Sequence, residues 1–454
     1  MAPKKRDDNW VDVSASCPQS VMPTFTDTYI QGLRGVASFI VVTGHLCTAF
    51  VPWLHDPALS DGGPSSIFQL PILRLCVGGR GSVAIFFIIT GFVNSINPVK
   101  NARADNTYVG LTNLARSTFT RSGRLMVPTT IATIIAWALC HMGAFSMAQR
   151  ADASWIRATS PPPGTTFGEA VSNLIWNLVY FWHTGASVYD GTHWTLKFFL
   201  SASFRTYLTL LALTLVKRRY WYAVTGLLWA YAWLVNDHLV GINIFPGMIL
   251  AQLQVDYGSR ATQMLPKVVP SILIFFGLII WGFPQNNPTW AWWSAAIRSF
   301  IVAITPANAD HSRYASSLGT CTLMLGIFFS RNARRFLTLP LFNFLGRVSF
   351  PVYLLHNILI RTILSWMVYG ESATRIPVRN EKGELLQLGR ASPMAFIFIL
   401  PIFYAVLYLV AHMWATYVEP QCGKAVDWLK DIMFKERPDS QEKLLPLPNG
   451  GSAS

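Results

Sequence analysis

The chain has 454 residues, 52% of them hydrophobic and 13% charged, with a mean hydropathy of +0.35. Soluble domains carry about 25% charged residues, so this composition excludes a surface that is mostly in water and points to lipid. The net charge of +14 does not indicate nucleic acid, because the basic residues fall in short clusters between apolar runs, as they do in the inner loops of membrane proteins. Six cysteines (Cys17, Cys47, Cys76, Cys140, Cys321 and Cys422) have no CxxC or Cys/His spacing, so neither a disulfide framework nor a metal site is indicated.

From the N-terminus, residues 1–29 are polar and open with Lys4, Lys5 and Arg6. No cleavable signal is visible, and the first apolar run is expected to serve as a signal anchor. A bilayer core needs about 20 apolar helical residues. Runs near that length predict ten spans, at 30–52, 76–97, 125–147, 193–216, 220–236, 239–253, 268–284, 316–330, 348–369 and 392–417. The stretch 168–183 is amphipathic and is placed on the membrane surface. Residues 418–454 read as a polar tail, largely disordered and rich in Pro, Ser and Gly from residue 435 onward. The expected organisation is thus a polar segment (1–29), one membrane domain (30–417) and a tail (418–454). The fold class is all-α, a polytopic integral membrane protein. No internal repeat or matched pair of broken helices is evident.

The ten-span reading can be weighed against charge. With the N-terminus inside, Lys and Arg number 22 in inner segments and 9 in outer ones, with five more (Arg34, Arg80, Lys197, Arg205 and Arg361) in spans. This bias predicts both termini in the cytosol. All 22 acidic residues fall outside the spans, in loops or at helix mouths, as with Asp27, Asp56, Asp190 and Asp237.

The first span holds two ionisable residues, Arg34 and His45. Eleven residues at about 100° each come within about 20° of three full turns, so both share one helix face, separated by a rise of about 16 Å. Arg34 is then near the cytosolic mouth and His45 well inside. Ionisable groups at that depth are costly and usually face an internal cavity. Snorkelling of Arg34 to the headgroups, with His45 hydrogen-bonded to a neighbouring helix, is the alternative.

Several ordered motifs resemble membrane-bound acyltransferase family 3, in particular its fungal-type members. QGLRG with Arg34, followed by His45, is similar to the family's first helix. Phe86, Phe87, Thr90, Gly91 and Phe92 match its second element. RSTFTRSGRLMVP resembles an arginine run ending in Pro, with Arg121, Arg124 and Pro128. FLGRVSFPVYLLHN, carrying Gly346, Ser349, Tyr353 and His356, resembles a later signature, and Val418-Glu419-Pro420 closes the series. The matches run in order from residue 27 to 420.

The resemblance implies an O-acyltransferase that moves an acyl group, acetyl foremost, from acyl-CoA as co-substrate to a hydroxyl of a small hydrophobic metabolite, in a fungal secondary-metabolite pathway. It implies a multi-pass protein of an endomembrane or the plasma membrane, with acyl-CoA, the acceptor and the bilayer as partners and no bound cofactor. Neutral histidine suits the general base. His45 is the first choice, and His356 is a second polar group in the cavity or a helix–helix contact. Arg34, Arg121 and Arg124 suit the CoA phosphates, or, for the last two, a positive-inside anchor. Phe87, His193, Trp194, Lys197 and Tyr353 complete the expected substrate site. The faces carrying His45, Phe87, Lys197 and His356 are expected to surround one cavity open to the cytosol.

Two departures stand out. Where fungal-type members carry a carboxylate and an arginine in the fourth span, this chain has Phe199 and Ser201, and Gln31 replaces the first motif's Asp. The loss leaves open a scaffold turned to other chemistry, such as isoprenoid cyclisation with aromatic residues stabilising a carbocation. Transport is a third class, weakened by the absence of an intramembrane carboxylate or a broken helix.

Overall fold

The computed structural model describes residues 25–104 and 106–434. The expected polar N-terminal segment up to residue 24, and the tail from residue 435, lie outside the described residues. The described residues are helical, with only isolated bridges (Ala151 with Leu388, Arg379 with Leu385) and no strand. The principal helices are α1 (Phe25–Phe50), α2 (Gly79–Arg103), α3 (Thr107–His141), α4 (Phe167–Thr184), α5 (Thr195–Leu213), α6 (Arg218–Leu234), α7 (Gly241–Tyr257), α8 (Val268–Trp281), α9 (Trp292–Ile304) and α10 (His311–Phe329). Two long helical runs follow, α11 (Ser349–Ala373) and α12 (Pro393–Met433), each with a π-helical turn inside, at Ile360–Leu364 and Trp414–Val418.

Among the described residues, six helices are long and apolar enough to cross a bilayer: α1, α2, α3, α5 (from Gly191), α11 and α12. A seventh forms if α7 with its continuation to Gln263 and α8, bent by 113° at a short break, count as one span. The ten apolar runs therefore divide differently once folded. The runs at 220–236, 239–253 and 268–284 become helices of 17, 17 and 14 residues. Apolar periodicity did not reveal the 113° bend between these two helices. α10 buries Ser316, Ser317 and Thr320, so it is a helix packed in protein more than one facing lipid. This is a multi-pass membrane protein. Its outer shell is apolar where lipid would lie, with Leu208, Leu211, Phe275, Phe276, Phe398 and Leu409 exposed.

Close approach of backbones holds the bundle together. Without apolar driving force between helices in lipid, small residues permit the tight van der Waals packing that does the work. A Cβ on Gly91 of α2 would strike the Ile244 carbonyl oxygen of α7, and one on Gly247 would strike that of Ile88. A Cβ on Gly346 would strike the Gln31 carbonyl, and one on Gly35 would lie 2.6 Å from the Gly346 nitrogen. The glycines of QGLRG and FLGR are thus two sides of one contact, between α1 and the short helix Pro340–Arg347 that precedes α11.

α4 occupies the stretch read as a surface helix. The Thr166 hydroxyl caps it by accepting from the Glu169 N–H, and Gly185 at φ +79° ends it. Ile175, Trp176, Val179 and Tyr180 are exposed, while Ala170, Asn177 and Phe181 are buried. α12 continues through residues read as tail as far as Met433, because Cys422 and Val426 are buried and a Cβ on Gly123 of α3 would meet Val426 at 2.7 Å.

Candidate active site

A cavity of about 350 Å³ lies between α1, α2, α3, α5 and α11. Arg34, Arg121, Arg124 and Arg347 line it together with Glu419. Its apolar wall includes Val83, Phe86, Ile89, Leu196, Phe199 and Phe350, and Thr195 and Tyr353 also line it. Along α1 the lining runs from Arg34 to Val41, and along α11 from Ser349 to Tyr353. At 1.5 Å per residue, the arginines mark one end and Tyr353 the other.

The arginine end is only partly tied down. The Arg121 Nε donates to the Ser203 hydroxyl at 3.2 Å, and the Asn94 amide donates to the same oxygen at 3.3 Å. Arg124 is 59% exposed and lies 3.6 Å from Asp427. Both sit inside α3, which starts at Thr107, rather than in a loop. Helical spacing of three puts them on one face.

Beyond Val41 on the same side of α1 comes His45. Its ring stacks on Trp155 at 5.0 Å and on His356 at 5.3 Å. It is half-buried, and no hydrogen bond to either ring nitrogen occurs among the described residues. His356 is fully buried. Its Nδ1 faces the carbonyl oxygens of Tyr353 at 2.8 Å and Val352 at 3.2 Å. Two acceptors there assign the proton to Nδ1, leaving Nε2 as a lone pair with no partner among the described residues. The Tyr353 ring lies 6.0 Å from both His356 and His193, so it stands between the cavity and the histidines. Its hydroxyl donates to the Thr192 carbonyl and pairs with the Thr195 hydroxyl at 2.7 Å.

His193, expected at an outer helix mouth, is instead fully buried. The segment after α4 folds inward: Asn177 accepts from the Val188 N–H at 2.8 Å, and the Ser187 hydroxyl accepts from the Asp190 N–H at 3.1 Å. This carries Asp190, in the loop ahead of the α5 span, to full burial. The Asp190 Oδ1 accepts from the Thr192 N–H and hydroxyl at 2.9 and 2.7 Å and from the Asn357 amide at 2.8 Å. Its Oδ2 lies 3.6 Å from His193 Nε2 and 3.7 Å from Arg361 Nη2. Burial alone would raise this carboxyl; the charges of His193 and Arg361 and the Asn357 hydrogen bond overcome it and hold it down at about 2.

The expected site residues thus fall into three places. Arg34, Arg121, Arg124 and Tyr353 line the cavity. His45, His193 and His356 gather beside it. Phe87, Trp194 and Lys197 lie elsewhere. Phe87 is fully buried and stacks at 4.4 Å on Phe199, which lines the cavity in its place. Trp194 lies under the Arg313 guanidinium at 5.3 Å. Lys197 turns to an open groove shared with Trp182, Leu208 and Leu211. Spans 1, 2, 4 and 9 do wall one cavity, but through neighbouring faces. Asp190, Trp155, Arg347, Glu419 and Arg361 were not singled out as site residues. Glu419 and Arg347 sat inside quoted motifs, and the Asp190/His193 spacing was a usable signal. Trp155 gave none, since it is one aromatic among 17 tryptophans.

Comparison with known proteins bears on the chemistry. The acyltransferase domain family matches residues 27–418. The O-acetyltransferase PaAT-1 of Phomopsis amygdali is 25% identical over 369 residues, covering 74% of this chain and 72% of its own length. Acyltransferase clz18 of Cochliobolus lunatus is 24% identical over 88% of this chain and 95% of its own length. Acyltransferase R4 of a Phoma species is 23% identical over 91% and 98%. No solved structure matches.

Proposed function

The chain belongs to acyltransferase family 3 and is a membrane-bound acyltransferase, and from that premise we propose that it moves an acetyl group from acetyl-CoA to the hydroxyl of a small hydrophobic acceptor. The observation that carries this reading is the cavity itself: guanidinium groups at one end, an apolar wall, and a histidine cluster behind Tyr353 at the other. Arg34, Arg121 and Arg347 suit the phosphates of CoA, since guanidinium–phosphate contacts are strong and directional. The clustering of basic residues around this end supports placing it at the cytosolic face, where acyl-CoA is available. The name of PaAT-1, an O-acetyltransferase, supports acetyl as the group moved. The apolar wall of Phe86, Ile89, Leu196 and Phe199 suits a hydrophobic acceptor.

His45 is the general base. It is the accessible member of the imidazole pair, and its nitrogens have no competing partner among the described residues. The acceptor O–H gives its proton to His45 as its oxygen attacks the thioester carbonyl. The new C–O bond forms, the C–S bond breaks, and the proton returns to the departing CoA thiolate. Trp155 and His356 hold the ring between them. A positioned base contributes about 10²–10⁴-fold, so His45→Ala is expected to lower label transfer from labelled acetyl-CoA by at least that lower bound, with normal membrane insertion. Turnover within twofold of the parent would remove the assignment. An isomerised product without label would favour cyclisation instead.

A further inference from the structure

The segment Tyr189–His193 runs along α11 and bonds to it on both sides of His356. His193 Nε2 donates to the Leu354 carbonyl at 3.0 Å, and the Tyr353 hydroxyl donates to the Thr192 carbonyl. One turn further, the Asn357 amide donates to Asp190, and Arg361 donates to the Tyr189 carbonyl. Arg361 is held in turn by the Thr159 carbonyl at 2.9 Å and by the Phe145 ring at 4.4 Å. It lies in the π-helical turn of α11, a local widening that recurs at functional sites. Nothing in acyl transfer as written above uses this grip.

Among the described residues, four buried polar atoms of this cluster have no hydrogen-bond partner: Asp190 Oδ2, His193 Nδ1, His356 Nε2 and Asn357 Oδ1. Native interiors rarely leave such groups unpaired, and a cluster of them marks a site where charge or protons are handled. Asp190 is also the acidic side chain whose charge reaches both His45 and His356. The other charged or titratable groups facing this pair are His55, after α1, His193 and the Tyr353 phenol, whose ring lies 6.0 Å from His356. Arg361 faces Asp190 rather than the pair.

We propose that Asp190, clamped to α11 by Asn357 and Arg361, is the positioning carboxylate of the imidazole pair: it fixes the helix that carries His356 and stabilises the positive charge His45 gains on taking the acceptor's proton. The inference rests on His45 acting as the base. The carboxylate serving the histidines is thereby supplied from a loop. A buried fixed charge within a low-dielectric cluster acts strongly because it needs no reorganisation when charge develops.

The test reads His45 directly. Diethyl pyrocarbonate modifies neutral imidazole, so the pH dependence of modification of the His45 peptide, read by mass spectrometry on the full-length protein in detergent, gives its midpoint. Removing a neighbouring opposite charge makes protonation harder, so Asp190→Asn is expected to move the midpoint down by about one pH unit or more. Release of CoA thiol from acetyl-CoA, with water as acceptor, is expected to fall about 10–100-fold in kcat, with KM for acetyl-CoA within about twofold of the parent. Because Asp190→Asn leaves Arg361 uncompensated, the double variant Asp190→Asn/Arg361→Met, which removes both charges, is measured beside it. A folded double variant with an unmoved midpoint would overturn the proposal. So would a double variant that does not fold, because the ion pair would then serve the fold alone. If the parent protein releases no thiol from acetyl-CoA, the donor assignment fails, while the midpoint comparison still decides the role of Asp190.

Discussion

Two sets of arginines in this molecule do opposite work. Arg361 is fully buried and saturated, with three carbonyl oxygens, the Asp190 carboxylate and the Phe145 ring around it. Arg34, Arg121 and Arg347 border a cavity, and among the described residues only Arg121 of these three makes a side-chain hydrogen bond, to a serine. A guanidinium whose donors are spent on backbone carbonyls is part of the fold. One whose donors face open volume is available to an anionic ligand. The lesson is that the residue type and its position in a span do not separate these roles; the count of satisfied donors does.

That comparison can be broken by substitution. The largest expected effect is at Arg361→Met, which leaves Asp190 buried without its partner. Breaking a buried pair costs about 3–5 kcal/mol, read as a collapse of thermal stability in detergent and of yield. Next, Arg34→Gln is expected to leave the melting temperature nearly unchanged. A lost hydrogen bond to a charged group costs about 1.5–3 kcal/mol, so KM for acetyl-CoA should rise about 10–100-fold. If Arg34→Gln instead unfolds the protein, Arg34 belongs with Arg361 and the division fails. Arg124→Gln should be milder, about 1 kcal/mol or less in donor binding, and its effect should fade as salt is raised, because Arg124 is exposed. Smallest of all is Lys197→Met. Lys197 borders the lipid-side groove, not the cavity, so turnover should stay within about twofold of the parent; a larger loss would place this groove on the acceptor's route.

Much of the frame could be read from residue order. Low charge and recurrent apolar runs gave a helical multi-pass membrane protein, and the ordered motifs gave the family. The Arg34–His45 spacing put both on the side of α1 that meets the cavity and His356. Other features were hidden for identifiable reasons. Hydropathy measures how apolar a run is, not whether lipid or protein covers it, so helices such as α10, which bury hydroxyls against neighbours, were counted with the lipid-facing ones. In the sequence Asp190 reads as a residue at a helix mouth, because sequence carries no record of a loop folding inward. Its partners stand 167 and 171 positions away, at Asn357 and Arg361. Phe87 and Phe199 lie on different helices, and only their stacking decides which of the two faces the cavity.

The sequence by itself determined the solvent of this protein and the inventory of its chemistry: two histidines, an arginine set and the motifs that carry them. Those follow from composition and helical periodicity, which are local. Tertiary structure alone decided which arginine is ligand-facing, which aromatic walls the cavity and where a carboxylate enters the interior. The physical reason is that burial and hydrogen-bond saturation are set by groups far apart in the chain, brought together by packing and not encoded in any single segment.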